Sequence, residues 1–388
     1  MLAFSFIKAI LLAAATVAAE TTTSAITSAT TDRAAATSGG KLTLQELAAL
    51  PLKQRLMKYP WKLEMITVSF IALYLITFYL GSKYNEKLVN KFVNSILPVF
   101  KENFFQVGVT KSRLMAKDDT QHFTFYATGR LRIESMIAKF ELQSRQNPFV
   151  WVMEYVSSFF IESLPAPEDK VSFNFQIDAD GSSKFDDFIW AIVHKDHMNE
   201  YRKENYFLSL TKTSESDKLP VQFVFMNEAP QMTSTLYSSE FPDLLEKCKD
   251  LIKFFAVTDQ AEEKPDRLSK LKPSKRFVLE MRVPKTKADV AAANEFLSFL
   301  LKTYIDFVCK NSAFRPEVTR KCKKTRESEY AKLKKSLETA RKEDLDSKKA
   351  EAEKDRRAKL TPEEQDKLAK RQSDRRQRRT MNRQKVRS

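Results

Sequence analysis

His194 and His197 stand three residues apart in "HKDH", with Asp186 and Asp187 a short way upstream. Two ligands at that spacing can share one face of a helix and one metal ion. The pair lacks the glutamate of H-E-x-x-H and follows a strand-like run, so it reads as a solvated turn. His122 is the remaining histidine. Cys248, Cys309 and Cys322 are too few and too scattered for a disulfide framework, and no C-x-x-C pair exists. They suit small buried side chains in a reducing compartment. With 6 glycines in 388 residues, the chain has no P-loop, no Gly-rich dinucleotide turn and no G-x-S-x-G. The expectation is a protein with no catalytic residues, no metal and no cofactor.

A different chemistry is concentrated at the C-terminus. The formal net charge is +16, and from Arg315 to Ser388 there are 27 basic against 14 acidic residues, a net of +13. The last stretch carries Arg371, Arg375, Arg376, Arg378, Arg379, Arg383, Lys385 and Arg387 against a single acid, Asp374. Such a cluster suits the phosphates of nucleic acid, which release counterions as they are neutralised, or an anionic lipid surface. Arginine pairs with phosphate in two-pronged fashion, which lysine does less well.

Which surface it meets depends on the elements that place it. "MLAFSFIKAILLAAATVAAE" has Lys8, an apolar run, and Val17 and Ala19 at the −3 and −1 positions of a cleavage site, so residues 1–19 read as a secretory signal peptide. Residues 20–62 are Ser/Thr/Ala-rich at first and read as a short, largely disordered luminal segment. Residues 63–82 read as a transmembrane helix. Met65 to Ser82 carries no charge, about 27 Å of helix. Its bilayer-facing residues include Met65, Phe70, Tyr74, Phe78 and Leu80, and Trp61 is an interfacial anchor. The signal peptide sends the N-terminal side to the lumen, which makes the chain a single-pass type I protein with a cytosolic C-terminus.

Residues 83–314 mix strand-like and helix-like patterns, as an α+β domain with a mostly antiparallel sheet does. "HFTFYATGRLRIESMIAKFEL" reads as two strands turning at Gly129, and "VSFNFQIDADGSSKFDDFIWAIVH" as a hairpin around Asp180-Gly181. "NYFLSLT", "VQFVF" and "RFVLEMRV" read as strands. Helices are expected over Pro148–Ser163, Phe241–Val257 and Lys287–Cys309. The first is apolar nearly all round and reads as a buried helix; a membrane-facing helix is the other reading. Residues 315–388 form a basic helical tail. Tyr330, Leu333, Leu337 and Ala340 keep coiled-coil spacing for about two heptads, and a capping box at Thr361 restarts a helix after a bend near Leu360.

The order of these parts resembles the calumin family, the coiled-coil subunit of the PAT complex of the endoplasmic reticulum multipass translocon. "YPWKLEM" opens the span as that family does. "FKENFFQVG" resembles its motif at Asn103, Phe104, Val107 and Gly108, and "YATGRLRIESM" at Gly129 and Arg130. "FIWAIVHKDHMNEYRKE" and "RFVLEMRVP" fall where the family has similar strands. The resemblance implies a non-catalytic endoplasmic reticulum membrane protein that sits beside the Sec61 translocon with a small membrane partner, Asterix. It implies binding to ribosomes and protection of nascent multipass membrane proteins. The C-terminal arginines would then lie on ribosomal RNA. A scaffold whose polybasic tail binds anionic lipid is the alternative. The family's animal members have an acidic, calcium-binding luminal segment; here residues 20–60 offer only Glu20, Asp32 and Glu46, so a calcium role does not carry over.

Overall fold

The structure is a computed structural model that describes residues 61–110, 113–161, 166–178 and 185–358, with isolated positions on either side. The expected signal peptide, almost all of the expected luminal segment, the Asp180-Gly181 turn and the restart at Thr361 lie outside the described residues. In the first compact unit, Met1–Ile71, the described residues are chiefly the opening turns of a helix; the sheet lies in the second, Ala72–Ser388.

Helix α1, Lys62–Asn103, runs 42 residues, about 63 Å. It changes character along its length. Up to Leu80 its large apolar side chains are exposed, and it is the one helix among the described residues long and apolar enough to cross a membrane. Thr67 and Thr77 turn their hydroxyls back onto carbonyls one turn earlier, as a hydrocarbon environment demands. From Asn85 onward a stripe at helical spacing (Val89, Phe92, Val93, Ile96 and Phe100) is buried against the sheet. One continuous helix thus carries both an exposed apolar length and a buried core face.

Ten strands form one sheet in which every pair is antiparallel: β1 (Gln106–Val107), β2 (Met115–Lys117), β3 (His122–Arg130), β4 (Ile133–Glu141), β5 (Lys170–Ile177), β6 (Trp190–His194), β7 (Lys212–Ser214), β8 (Phe223–Asn227), β9 (Ile252–Thr258) and β10 (Arg276–Arg282). The order is β1-β3-β4-β5-β10-β9-β6-β8-β7, with β2 also on β3. Alternation puts Phe123, Phe125, Phe140, Phe173, Phe175, Phe277 and Phe255 on one face, where Phe92 and Phe100 of α1 meet Phe125, Phe140 and Phe173 while Phe296 and Tyr304 meet Phe255. Phe100 meets Phe125 edge-on at 5.5 Å between centroids.

Helix α2 (Pro148–Phe160) precedes β5; α3 (Met198–Glu204) and α4 (Tyr206–Ser209) lie between β6 and β7; α5 (Thr233–Leu236) and α6 (Phe241–Lys247) lie between β8 and β9. Then come α7 (Lys287–Phe299), a π-helical turn at Leu300–Tyr304, α8 (Ile305–Asn311) and α9 (Pro316–Ala358). The thirteen residues of α7 start on a capping box, Thr286 with Asp289. The opposite face of β6, β8 and β9 forms a second cluster, covered by Tyr201, Phe207 and Leu208 from α3 and α4.

Four local expectations are corrected. The β3–β4 hairpin turns at Leu131-Arg132, not Gly129; Arg130 pairs with Ile133, and Arg132 carries the positive φ of 69°. β5 and β6 are not a hairpin, since β10 and β9 lie between them. The expected helix Phe241–Val257 ends at Lys247, and its second half is the central strand β9. That strand is buried on both faces, which erases the alternation by which a strand is read. "NYFLSLT" holds helix α4 instead of a strand.

Candidate membrane-facing site and its anchors

Where α1 passes from exposed span to buried helix, the loop before α2 crosses it at backbone distance. A Cβ on Gly81 would lie 2.4 Å from the Arg145 carbonyl oxygen and 2.6 Å from Gln146 N, so only glycine admits this approach. One turn on, buried Asn85 donates through Nδ2 to the carbonyls of Thr120 (3.2 Å) and Gln143 (3.1 Å). Its Oδ1 accepts from Arg145 at 3.0 Å. Arg145 also grips Asp169 with both ends of the guanidinium, 2.7 Å each, and sits 5.2 Å from the Tyr84 ring centre. Lys285 reaches the same Asp169 at 2.9 Å. Burial by itself would raise the Asp169 carboxyl; the hydrogen bonds from Arg145 and Lys285 outweigh it and hold the group below the usual carboxylate range. A Gly81→Ala change is expected to cost about 1–3 kcal/mol, because the opposing atoms are backbone and cannot rotate aside. Limited proteolysis of the full chain in detergent should then cut faster around residues 143–161; an unchanged pattern would exclude the close approach.

This junction launches α2. Asn147 caps it by accepting from the amides of Phe149 and Val150, and Pro148 takes the first position. Glu154 accepts from Ser144 Oγ at 2.7 Å, and the Trp151 indole donates to Gln143 Oε1 at 3.3 Å. The Gln143 amide also donates to the Pro167 carbonyl. The helix is not core: none of its residues is buried, which corrects the buried reading. Phe149, Met153, Val156 and Phe160 form an exposed stripe at helical spacing, and Phe159 and Phe160 are 86% and 78% exposed. Phe149 stacks on Tyr74 of α1 at 6.4 Å, two turns up the apolar part of the helix from Gly81. Thirteen residues give about 20 Å of helix, too short to cross a bilayer but long enough to enter one side of it. An aromatic stripe of this size on a soluble surface marks a partner or membrane contact.

The residues expected in the span are placed together. Trp61, Met65, Phe70, Phe78 and Leu80 are exposed, and Tyr74 is half-buried beside Phe149. The motif residues prove to be architectural. Asn103 ends α1 with its amide on the Val99 carbonyl, and Phe104 is buried and stacked on Phe100. Gly108 donates its N–H to Tyr126 O. Gly129, at φ +89°, makes room for Phe105, whose Cβ would be 2.7 Å from any side chain placed there. Arg130 meets Asp306 at 3.1 Å, beside Arg132 at 3.0 Å; burial lowers its guanidinium from the ordinary value. Sequence reading missed Gly81, Asn85, Arg145 and Asp169, whose pairings join residues 60 and 24 positions apart and leave no local signal.

The tail begins inside the domain. Val318 and Cys322 of α9 are buried, and Arg326 is its anchor. Its Nε donates to Asp259 (2.8 Å), its Nη2 to the same carboxylate (2.5 Å), and its Nη1 to both oxygens of Glu228 (2.9 and 3.1 Å). Glu329 accepts from the Tyr206 hydroxyl at 3.0 Å. Beyond Tyr330 the helix is almost wholly exposed, with Leu337 and Leu345 facing out. Of the arginine cluster, Arg378 is an exposed helical residue; Arg371, Arg375, Arg376, Arg379, Arg383, Lys385 and Arg387 lie outside the described residues.

His197 is exposed, 3.0 Å from the Glu200 carboxylate, and His194 is half-buried against Phe223, 3.6 Å from that of Asp196. Among the described residues no group of three His, Cys, Asp or Glu side chains is placed to hold one metal ion. The three cysteines are buried and free; burial pushes the Cys248 and Cys322 thiols up to about 12 and Cys309 up to about 11.

Residues 60–379 match the family described as PAT complex subunit CCDC47. A Saccharomyces cerevisiae protein described as a UPF0674 endoplasmic reticulum membrane protein is 26% identical over 328 residues, covering 76% of this chain and 81% of the relative. A Schizosaccharomyces pombe protein of the same description is 27% identical over 274 residues, 69% of this chain and 73% of the relative. An uncharacterised Arabidopsis thaliana protein is 26% identical over 154 residues, 38% and 30% of the two chains.

Proposed function

We propose, on the premise that the chain belongs to the PAT complex subunit CCDC47 family, that it works in the endoplasmic reticulum membrane as a non-catalytic helper of multipass membrane proteins during their insertion. The observation that carries this reading is α2: an exposed aromatic stripe held beside the exposed apolar part of α1 by a buried polar junction. Such a stripe offers dispersion contacts to a nascent helix that has not yet found its partners, while Ser157 and Glu154 give it a polar side. The endoplasmic reticulum description of the yeast relatives supports the location. In this reading the chain is type I, residues after 83 are cytosolic, and the Sec61 translocon and the small partner Asterix are its neighbours.

The tail fits the same setting. From Tyr330 to Ala358 the helix extends about 40 Å, enough to carry the arginine cluster off the domain toward ribosomal RNA. A photoreactive residue at Phe159, in membranes carrying ribosome-stalled multipass chains, is expected to crosslink to transmembrane segments of those chains. The same probe at Lys264, on the far loop between β9 and β10, should not. Crosslinks from neither position, or equally from both, would remove the reading. Full-length protein should also sediment with ribosomes at low salt and lose them at high salt; a chain ending at Lys370 should lose most of that association at low salt. Retention in membranes without ribosomes would assign the tail to lipid or another protein.

A further inference from the structure

A cleft of about 430 Å³ opens between the polar side of α2 and helix α3. Carboxylates dominate its lining: Glu141, Glu154, Glu168, Glu200, Glu204 and Glu280, against Lys170 and Lys253. Most are accounted for within the fold. Lys170 meets Glu141 at 3.1 Å, Lys253 meets Glu168 at 3.3 Å, Ser144 donates to Glu154, and His197 contacts Glu200. Glu204 and Glu280 have no ion pair within 4.0 Å among the described residues. Glu280 stands out further: the residue is 9% exposed, and its Oε1 is buried without a hydrogen-bond partner. It lines this cleft and the adjoining one across β3, β4 and β5.

A strand carboxylate buried at this depth and left half unpaired is costly unless a proton or a cation neutralises it, and a positive group brought into the cleft would favour the charged form. Burial raises the Glu280 carboxyl above the ordinary range, and Lys170 and Lys253 do not bring it back. The carboxylates are spread along the cleft and do not converge as metal ligands do. Spread acids suit several positive groups on one strand of peptide. The cleft also shares α2 with the exposed stripe: Glu154 and Ser157 face it, while Phe149, Met153, Val156 and Phe160 are exposed. Transmembrane segments carry lysine and arginine just beyond their cytosolic ends, so a helix lying on the stripe would bring its basic flank to this place.

We infer that the cleft between α2 and α3, with Glu204 and Glu280 at its centre, docks the lysine- and arginine-rich cytosolic flank of a transmembrane segment whose apolar part lies against α2. The inference rests on the function proposed above, which it deepens by naming what the site selects: a basic-flanked helix.

The test uses the full chain in nanodiscs and two fluorescent peptides with the same semi-polar transmembrane sequence, one followed by Lys-Arg-Lys and one by Ser-Ser-Ser. The basic peptide is expected to bind at least about tenfold more tightly, in a salt-sensitive way, and the double variant Glu204→Gln, Glu280→Gln to abolish that difference. Both glutamines keep the shape of the side chains, so binding of the Ser-flanked peptide should not change; a misfolded variant would lose both peptides alike. For that case Glu204→Gln alone, at an exposed helical position, must by itself narrow the difference. Equal binding of the two peptides to wild type overturns the cleft inference but leaves the proposed function standing. If neither peptide binds, both fall. If the preference appears only in a chain ending at Lys370, the occupant is this protein's own tail and the inference is overturned in favour of that segment.

Discussion

Replacing Arg326 by alanine is expected to destabilise the protein by about 3–5 kcal/mol and to release the start of the C-terminal helix from the sheet. The magnitude follows from what the guanidinium leaves behind. Glu228 is 2% exposed at its side chain and Asp259 1%, and four hydrogen bonds from Arg326 are what both carboxylates share. Burial raises Glu228 above the ordinary carboxylate range, with Asp259 adding to it, so the pair tolerates its charge only because the cation is present. Hydrogen exchange of the full chain in detergent should show amides from Val318 to Tyr330 losing protection, with α1 and β5 unaffected at first. Adding Glu228→Gln and Asp259→Asn to an Arg326→Met chain should restore part of the loss, since an apolar stem and two neutral amides bury more cheaply than unpaired charge. Unchanged protection in the Arg326→Ala chain would mean that packing of Val318 and Cys322 alone docks the helix. This anchor fixes the direction in which the charged helix leaves the domain.

Arg145→Ala is expected to cost a similar amount, about 3–5 kcal/mol, and to detach α2 from the foot of the span. Asp169 has no exposed side-chain surface, and after the change only Lys285 and the Gln143 backbone amide would face it. Asn85 would lose its Oδ1 partner and Tyr84 the guanidinium stacked on it. The pH dependence carries a signature. In the wild type the Asp169 carboxyl lies below its unfolded value, so its contribution is complete above an unfolded pKa of about 4 and is lost as pH falls through the lower folded value. Without Arg145, burial dominates and the folded value rises, so the acid-side loss of stability should begin at higher pH. Tm measured from about pH 3 to 8 in detergent checks this. Parallel acid limbs in the two proteins would show that Lys285 and the Gln143 amide sustain Asp169 without Arg145. Crosslinking from Phe159 to nascent chains should fall with the same change, even at temperatures where the sheet is folded.

The chain wrote some of this plainly. Eighteen uncharged residues from Met65 need no partner to read as a span, because backbone satisfaction and apolar length are properties of one segment. The net charge of the last 74 residues is likewise a local quantity, as is the capping box at Thr286 that starts α7. Strands with one polar face, such as β5, show their alternation and were legible. What only the tertiary structure decided lies where the signal is non-local or cancelled. β9 is apolar on both faces because α3 and α4 cover the side that solvent would otherwise mark, so it reads as the end of a helix. Apolar residues all round α2 are the same whether it enters a core or a bilayer; its exposure is set by the junction at Gly81, Asn85 and Arg145, whose contacts join residues 60 and 24 positions apart. Glu280 looks in sequence like the polar residue of any amphipathic strand. Its burial beneath Lys170 and Glu204 comes from the helix packed over the neighbouring strands, and no local pattern encodes that.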